Sequence, residues 1–353
     1  MSDQPVILDP ESWSCPLALR DTERIVLGHG GGGVLSEELI DNLFVPAFGG
    51  REGPARDSAR LDVPHGRIAF TTDSYVVQPL FFPGGCIGDL AVNGTINDLA
   101  CSGALPLALS AGFILEEGLE MSVLGRVAQR LGRAAMVAGV RVETGDTKVV
   151  ERGSADQMFI NTSGIGIIPE GVDVGPDRVR PGDRVIVSGP VGEHGVAILS
   201  VREGIDFGSS VESDSAALCF LVQGALAAGD VRALRDPTRG GVVAAVTELA
   251  RGGGVGIELD ESTIPVPEAV ASACSFLGLD PLQIANEGKM IVIVAPEDTE
   301  AVLDAMRAQP EGRGATVIGR VVDDHPGMVV GRTAFGTTRV IERELGEQLP
   351  RIC

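Results

Sequence analysis

The chain has 353 residues, 44% of them hydrophobic and 22% charged, which is the composition of an ordered globular protein of about two domains. Its 49 acidic and 28 basic residues give a net charge of -21, which repels phosphate backbones and anionic membrane surfaces. The sequence therefore predicts no nucleic-acid partner and no membrane partner. The N-terminus has neither a basic start nor an apolar core of a signal peptide, so a cytoplasmic location is expected.

The first half of the chain alternates strand-like and helical patterns. Residues 1–22 are polar and predicted to form a flexible arm, and RIVLG (24–28) is predicted to be a short strand that enters the glycine cluster GHGGGG (28–33). Further strands are predicted at residues 67–73, 104–115, 140–146 and 157–168, and helices at 87–103 and 121–139.

The second half repeats this mixture after a polar segment with Pro and Gly breakers, residues 173–183. Strands are predicted at 184–189, 255–259, 290–295 and 315–322, and helices at 193–203, 213–228, 240–252 and 297–307. We expect an α+β fold with domains at 23–172 and 173–340, followed by a tail at 341–353.

The glycine cluster and the cysteines exclude two common kinds of site. GHGGGG lacks the GK[ST] of a Walker A loop, and taken alone it is more typical of a flexible linker than of a phosphate clamp. The six cysteines show no CxxC spacing, which favours neither a zinc site nor a disulfide framework. Cys353 stands apart, because no residues follow it that could pack it deep in a core.

Four aspartates lie beside small or turn-forming residues: Asp57, Asp73, Asp98 and Asp236. Carboxylates that converge from separate strand ends can hold Mg²⁺ together with substrate phosphates. Each aspartate alone is more often a helix cap or a turn residue. Asp98 is the most unusual of them, because it interrupts an apolar helical pattern.

The only two lysines lie in short polar segments that border apolar strands. In ETGDTKVV, Gly145 and Asp146 are predicted to form a turn from which Lys148 projects. In IANEGKM, the glycine between Glu287 and Lys289 predicts a sharp bend before a buried strand. The alternative for each motif is an ordinary surface ion pair.

The C-terminal segment GEQLPRIC suggests a carrier arm. Pro350 stiffens it, Arg351 can bind an anion, and Cys353 ends a tether that could swing between a partner and an active site. The alternative is a frayed terminus with an incidental cysteine.

These segments together resemble the hydrogenase maturation factor (HypE) family, within the superfamily of aminoimidazole ribonucleotide synthetase and selenophosphate synthetase. The segments that carry the resemblance are TTDSYVVQPLFFPGG (71–85), GTINDLACSGALP (94–106), GFILEEGL (112–119), ETGDTKVVERG (143–153), GEHG (192–195), LRDPTRGGV (234–242), ANEGK (285–289) and PRIC (350–353). The family often has Asn or Asp where this chain has Cys86.

The resemblance implies a two-domain PurM-like fold. The N-terminal domain would pair across a homodimer to form a β-barrel, and the C-terminal α+β domain would have a ferredoxin-like core. ATP would bind between the domains, with Mg²⁺ on Asp57, Asp73, Asp98 and Asp236. The implied nucleotide-binding residues are Gly30, Gly31, Gly32, Asp73, Asp98, Asp146, Thr147, Thr238, Arg239 and Lys289.

The family's implied reaction is ATP-dependent dehydration of a carbamoyl group on the terminal cysteine to thiocyanate, which supplies cyanide to the iron of [NiFe]-hydrogenases. Here it implies Cys353 as carrier, Glu287 as base and Lys148 as the cation for the phosphoryl group, with Lys148 alternatively orienting Glu287. His194 is a further candidate to accept the proton. The implied partners are the carbamoyltransferase HypF and the HypC–HypD scaffold complex.

Two alternatives remain at this point. One is selenophosphate or aminoimidazole ribonucleotide synthesis; a selenophosphate synthetase would carry a reactive N-terminal cysteine with a nearby lysine, and Cys15 has none nearby. The other is a non-catalytic ATP-binding scaffold for hydrogenase assembly.

Overall fold

The computed structural model describes residues 23–50, 58–59, 61–204, 211–333, 336–343, 349 and 351–353. The predicted N-terminal arm, Cys15, Asp57 and Pro350 lie outside the described residues. No helix in the described ranges is long and apolar enough to cross a membrane.

The first half builds a four-stranded sheet with the strand order β1-β6-β4-β5. In chain order its elements are α1 (Val34–Leu39), α2 (Val45–Ala47), β1 (Arg67–Tyr75), β2 (Phe81–Phe82), β3 (Gly85–Cys86), α3 (Ile87–Cys101), β4 (Leu105–Glu116), α4 (Met121–Val137), β5 (Val142–Val150) and β6 (Met158–Ile168). Strands β2 and β3 form a separate pair. Strands β1 and β5 are the two edges of the sheet, and β5 is parallel to β4.

One face of this sheet is covered and the other is open. Helix α4 places Leu124, Val127 and Leu131 at helical spacing in the core beneath the sheet, and α3 packs on β1, β4 and β6. On the opposite face, Phe70 and Ile114 are 69% and 44% exposed. A sheet face of this kind, with apolar side chains in solvent, is typical of a surface that another protein covers.

The second half builds a seven-stranded sheet with the order β13-β12-β9-β11-β7-β10-β8. Its elements are β7 (Arg184–Val187), α5 (Glu193–Glu203), α6 (Cys219–Ala228), β8 (Val231–Arg235), α7 (Gly241–Gly253), β9 (Gly256–Asp260), α8 (Glu268–Leu277), β10 (Ile291–Val294), α9 (Thr299–Arg307), β11 (Thr316–Val322), β12 (Val329–Arg332) and β13 (Thr338–Ile341). Separate apolar clusters form around α7 and around α6 with α9.

This mixture of helices and sheets confirms the predicted α+β class. Each sheet uses residues from one side of the predicted 172/173 boundary only, while the boundary itself stays a prediction. The halves meet through α3, whose Asn97 donates to the carbonyl oxygens of Ala216 and Glu287 and accepts from the N–H of Leu218.

Three predicted elements are wrong. RIVLG makes only one bridge, Arg24 with Glu120, because a 3₁₀ turn at Leu27–Gly30 follows directly. The predicted turn at Gly145 lies inside β5, where a Cβ would stand 2.2 Å from the Ala111 oxygen; the glycine therefore permits close strand pairing.

The predicted helix 213–228 begins only at Cys219. The Ser and Asp residues before it bond to other parts of the chain, which competes with helix formation. Helices α1, α2 and α8 and strands β8, β12 and β13 were not predicted.

Candidate active site

Glu287 lies at a buried bend before β10, as the sequence predicts. Asn286 fixes this bend: its N–H and its side-chain amide both donate to the Pro237 oxygen at 3.0 Å, and its Oδ1 accepts from the N–H of Gly192 at 2.7 Å. Glu287 is 3% exposed, and its Oε1 has no hydrogen-bond partner within the described part of the chain. A buried carboxylate oxygen without a partner indicates a place where a ligand's donor belongs.

The environment of Glu287 strengthens the affinity of its carboxylate for a proton. Burial is the largest cause that raises its pKa well above the usual value, followed by the charges of Asp236, Asp214 and Asp73, while Arg239 lowers it. A general base works best when its pKa lies near the operating pH. These charges also show that residues from both halves converge on Glu287.

Three of the four predicted metal-binding aspartates lie near one another. Asp98 accepts a hydrogen bond from the Thr71 hydroxyl at 2.8 Å, and burial, then Asp236, raises its pKa to about 6, with a smaller contribution from Asp73. Asp236 is 6% exposed, and burial also raises its pKa, which Arg235 opposes.

The donor set fits a hard divalent cation, because repulsion between these carboxylates would be relieved by one. Among the described residues, no three His, Cys, Asp or Glu side chains already form a metal-binding cluster. Mg²⁺ commonly uses only one or two carboxylates together with phosphates and waters, so the fit does not require such a cluster.

The glycine cluster lies against β5. A Cβ on Gly30 would stand 2.3 Å from the Val149 backbone nitrogen, so only glycine permits this close contact. Gly31 and Gly32 are exposed, and Ser36 secures the turn by accepting from the Gly32 N–H at 2.9 Å. The glycine cluster therefore lies directly against the strand that carries Lys148.

Asp146, Thr147 and Lys148 follow one another on that edge strand. The Asp146 Oδ1 accepts from the Thr147 N–H at 2.8 Å and from the Lys148 Nζ at 3.1 Å. The Lys148 side chain is 62% exposed, and no hydrogen bond or ion pair joins it to Glu287 among the residues that the structure describes. No contact in the described structure therefore supports the alternative role of Lys148, which is to orient Glu287 directly.

Lys289 has the opposite environment. It is 9% exposed, and its Nζ lies 3.4 Å from Glu193 and 3.3 Å from Asp214. Thr238 and Arg239 form the turn between β8 and α7, where the Thr238 oxygen accepts from the Gly241 N–H. Arg239 is exposed and is the cation that lowers the pKa of Glu287.

The last residues of the chain are docked at the end of β1. The N–H groups of Val76 and Gln78 donate to the oxygens of Cys353 and Arg351 at 3.1 and 3.2 Å, in the manner of an added strand. Arg351 donates to the Val76 oxygen and to Asp156, and Arg202 donates to the Arg351 oxygen at 2.6 Å. The backbone of Cys353 is therefore held at Val76, three residues after Asp73 in the chain.

His194 binds this docked tail. Its Nε2 lies 2.7 Å from the Ile352 oxygen and its Nδ1 2.8 Å from the Ser213 hydroxyl. A carbonyl oxygen can only accept, so Nε2 carries the proton and Nδ1 accepts from Ser213. Burial lowers the His194 pKa, which favours this neutral form. The imidazole is thus engaged at both nitrogens in this docked arrangement.

Sequence reasoning missed Asp214 and Ser213, which bind the Glu287 bend and His194. The only available signal was the polar run ESDS before an apolar helix, which also fits an ordinary helix cap. Cys86 is buried and directly precedes α3 as its N-cap residue, with its N–H donating to Asp89 Oδ2 at 2.8 Å. Burial raises its pKa to about 12, so this thiol remains protonated.

Comparison with known proteins covers nearly the whole chain. Models of the AIR synthase related protein family match residues 55–168 as its N-terminal domain and 180–331 as its C-terminal domain. A protein of Rhizobium leguminosarum bv. viciae named carbamoyl dehydratase HypE is 52% identical over 335 residues, which cover 94% of this chain and 95% of the relative.

Two solved structures are similar in fold and sequence. The hydrogenase maturation protein HypE in complex with ATP has a TM-score of 0.88 at 48% identity, covering 93% of this chain and 99% of that one. HypE in a HypE–HypF complex has a TM-score of 0.77 at 43% identity, covering 88% of this chain and 100% of that one.

Proposed function

The chain belongs to the HypE family of AIR synthase related proteins, and we propose that it uses ATP to dehydrate a carbamoyl group on the Cys353 thiol to a thiocyanate. The observation that carries this proposal is the docked tail. The backbone of Cys353 pairs with Val76, which directly follows the strand that bears Asp73. The charge of Asp73 in turn raises the pKa of Glu287, whose buried Oε1 has no partner among the described residues.

The proposed dehydration proceeds in two steps, phosphorylation of the carbamoyl oxygen and then elimination of phosphate. The carbamoyl oxygen bonds to the γ-phosphorus of ATP, ADP leaves, and one nitrogen proton is lost to give an S-bound phosphorylated imidate. Removal of the second nitrogen proton then forms the C≡N bond and expels phosphate. Phosphorylation is needed because an amide oxygen is a poor leaving group.

The chain's own groups divide this work. Glu287 accepts a nitrogen proton, since its carboxylate is buried and its Oε1 can receive an N–H. Lys148 supplies positive charge to the transferring phosphoryl group, and its exposed side chain can leave Asp146 at little cost. His194 holds the tail through Ile352. A bound Mg²⁺ would neutralise phosphate charge.

The nucleotide would lie between the glycine turn and the aspartates. We assign Gly30, Gly31 and Gly32 to a flap over the nucleotide. Asp146, Thr147, Thr238, Arg239 and Lys289 are assigned to nucleotide contacts. Asp73, Asp98 and Asp236 would hold the metal, together with Asp57 outside the described residues. The chain's strong negative charge makes metal and local cations necessary for any polyphosphate.

The partners follow the same reasoning. A carbamoyl donor such as HypF must load Cys353, and a scaffold such as HypC–HypD would receive the cyanide in the cytoplasm. A homodimer would cover the open face of the first sheet, where Ile68, Phe70 and Ile114 are exposed.

Intact-mass measurement tests the function. Protein carbamoylated on Cys353 and given Mg-ATP should lose the mass of one water, whereas protein without ATP should not. A variant lacking Cys353 should bind ATP and dimerise but acquire no adduct. Delivery of cyanide by that variant would refute the carrier role.

A further inference from the structure

Residues 211–218 form a strap that contacts helix α3, the Glu287 bend and His194. Its Ser213 N–H donates to the Pro83 oxygen at 2.8 Å, and its Ser215 hydroxyl accepts from Asn93 of α3 at 3.0 Å. Asn97 of α3 holds its far end through Ala216 and Leu218. The strap is thus fastened to the first half of the chain before α6 begins.

Asp214 in this strap accepts hydrogen bonds from the bend that carries Glu287. Its Oδ1 accepts from the Glu287 N–H at 3.1 Å and its Oδ2 from the Gly288 N–H at 3.2 Å. Lys289 Nζ lies 3.3 Å from the same Oδ2, and the Asp214 side chain is only 1% exposed. Charge-assisted bonds to two consecutive N–H groups fix both position and direction of a bend.

Close packing between the strap and the bend adds to these hydrogen bonds. A Cβ on Gly288 would stand 1.8 Å from the Asp214 backbone oxygen, so the strap and the bend touch where only glycine fits. The bend cannot shift without moving the strap.

We propose that Asp214 is a positioning residue for Glu287, and that the strap links the base to the docked tail. The proposal rests on the proposed function and adds a residue to it. The link to the tail runs through the neighbouring residue: the Ser213 hydroxyl donates to His194, which donates to the Ile352 oxygen.

The same arrangement has an electrostatic consequence. The groups that face Glu287 are Asp236, Asp214 and Asp73, which raise its pKa, Arg239, which lowers it, and the Tyr75 phenol, which senses its charge. Lys289 keeps Asp214 paired. Loss of the Asp214 charge therefore lowers the Glu287 pKa. Loss of the hydrogen bonds that Asp214 accepts from the Glu287 and Gly288 N–H groups leaves the bend less well fixed.

The test measures single-turnover loss of water from carbamoylated protein across a pH series. Because Glu287 accepts a proton only when ionised, the rate rises with pH through its pKa. The pH–rate profile thus has a rising limb and, at higher pH, a plateau. In Asp214→Asn the rising limb should move to lower pH. The plateau rate should fall by up to ~10²-fold, as for a displaced catalytic group. ATP binding, measured by calorimetry, should persist.

Glu193→Gln is the matched control. It removes a carboxylate from the same lysine, 3.4 Å from Nζ, but it leaves both bonds to the bend in place. Its rising limb should stay near that of the wild type. Asp214→Glu, which keeps the charge but displaces the carboxylate, should lower the plateau and leave the limb in place.

The proposal is overturned if the pH–rate profile of Asp214→Asn has the same plateau and the same rising limb as the wild type. It is also overturned if the plateau falls but the rising limb stays in place, because that result indicates only general damage to the site. If Asp214→Asn fails to fold, a wild-type plateau in Asp214→Glu overturns it. A wild-type protein that loses no water would instead refute the proposed function itself.

Discussion

The two lysines of this chain lie in similar glycine-containing segments but in opposite environments. Lys289 is 9% exposed between Glu193 and Asp214, whereas Lys148 is 62% exposed beside Asp146 on an edge strand. The buried lysine balances the carboxylates that hold the Glu287 bend. The exposed lysine is paired only weakly and can turn to a phosphoryl group. The comparison separates a cation that buried carboxylates hold in place from one that an exposed carboxylate holds only weakly.

The largest effect is expected at the buried bend, where Glu287→Gln should slow the dehydration reaction. The amide keeps the size of the side chain but not its proton affinity, and loss of a general base typically costs ~10² to 10⁴-fold in rate. Carbamoylated variant given ATP should keep its carbamoyl mass while the wild type loses water. ATP must still bind, as calorimetry can verify. A wild-type rate would show that another group takes the proton.

The lysines themselves provide the next test, by Lys289→Met and Lys148→Met. Removing one partner from a buried ion pair costs roughly 3 to 5 kcal/mol, because it leaves carboxylates buried without a counter-charge. An exposed pair contributes about 1 kcal/mol or less. Urea unfolding should therefore separate the two variants clearly, with Lys148→Met close to wild type in stability but slow in dehydration. Equal loss of stability would contradict the comparison.

The aspartates allow a smaller contrast in nucleotide affinity. Asp236→Asn and Asp73→Asn should weaken Mg-ATP binding about tenfold or more, because a polyphosphate on this acidic chain depends on metal. Asp146→Asn, which removes only the exposed partner of Lys148, should change affinity less. Calorimetric titration distinguishes these outcomes. Unchanged affinity in both Asp236→Asn and Asp73→Asn would remove those residues from the metal site.

The smallest expected effect is the pH dependence caused by Asp98, in metal-free protein with a chelator. Its pKa is raised to about 6, so the folded state binds its proton more tightly than the unfolded state. Stability from this group is thus greatest at low pH and falls as the pH rises from about 4 to about 6. Two pKa units correspond to ~3 kcal/mol, but Asp98 is only half-buried and solvent screens part of this effect. Asp98→Asn should therefore raise the unfolding free energy at pH 7 by ~1 kcal/mol and leave it little changed at pH 4. An equal change at both pH values would contradict this.

Where the residue pattern is strong, the sequence predicted elements closely. The helix expected at 193–203 is α5 (Glu193–Glu203), and the strand expected at 157–168 is β6 (Met158–Ile168). The pattern failed where one residue type serves two purposes. Gly145 predicts a turn because glycine often forms one, but in the structure it allows β5 to approach the Ala111 backbone closely.

The sequence by itself determined the α+β class, the family resemblance and the bend at Glu287, because these depend on local periodicity and on residues that are neighbours in the chain. Only the tertiary structure decided which groups surround that bend. Asp214, Asp236 and Asp73 reach Glu287 from distant segments, and the docked tail reaches His194 across 158 positions. Such contacts depend on how two sheets and α3 are packed, and no local pattern encodes that packing residue by residue.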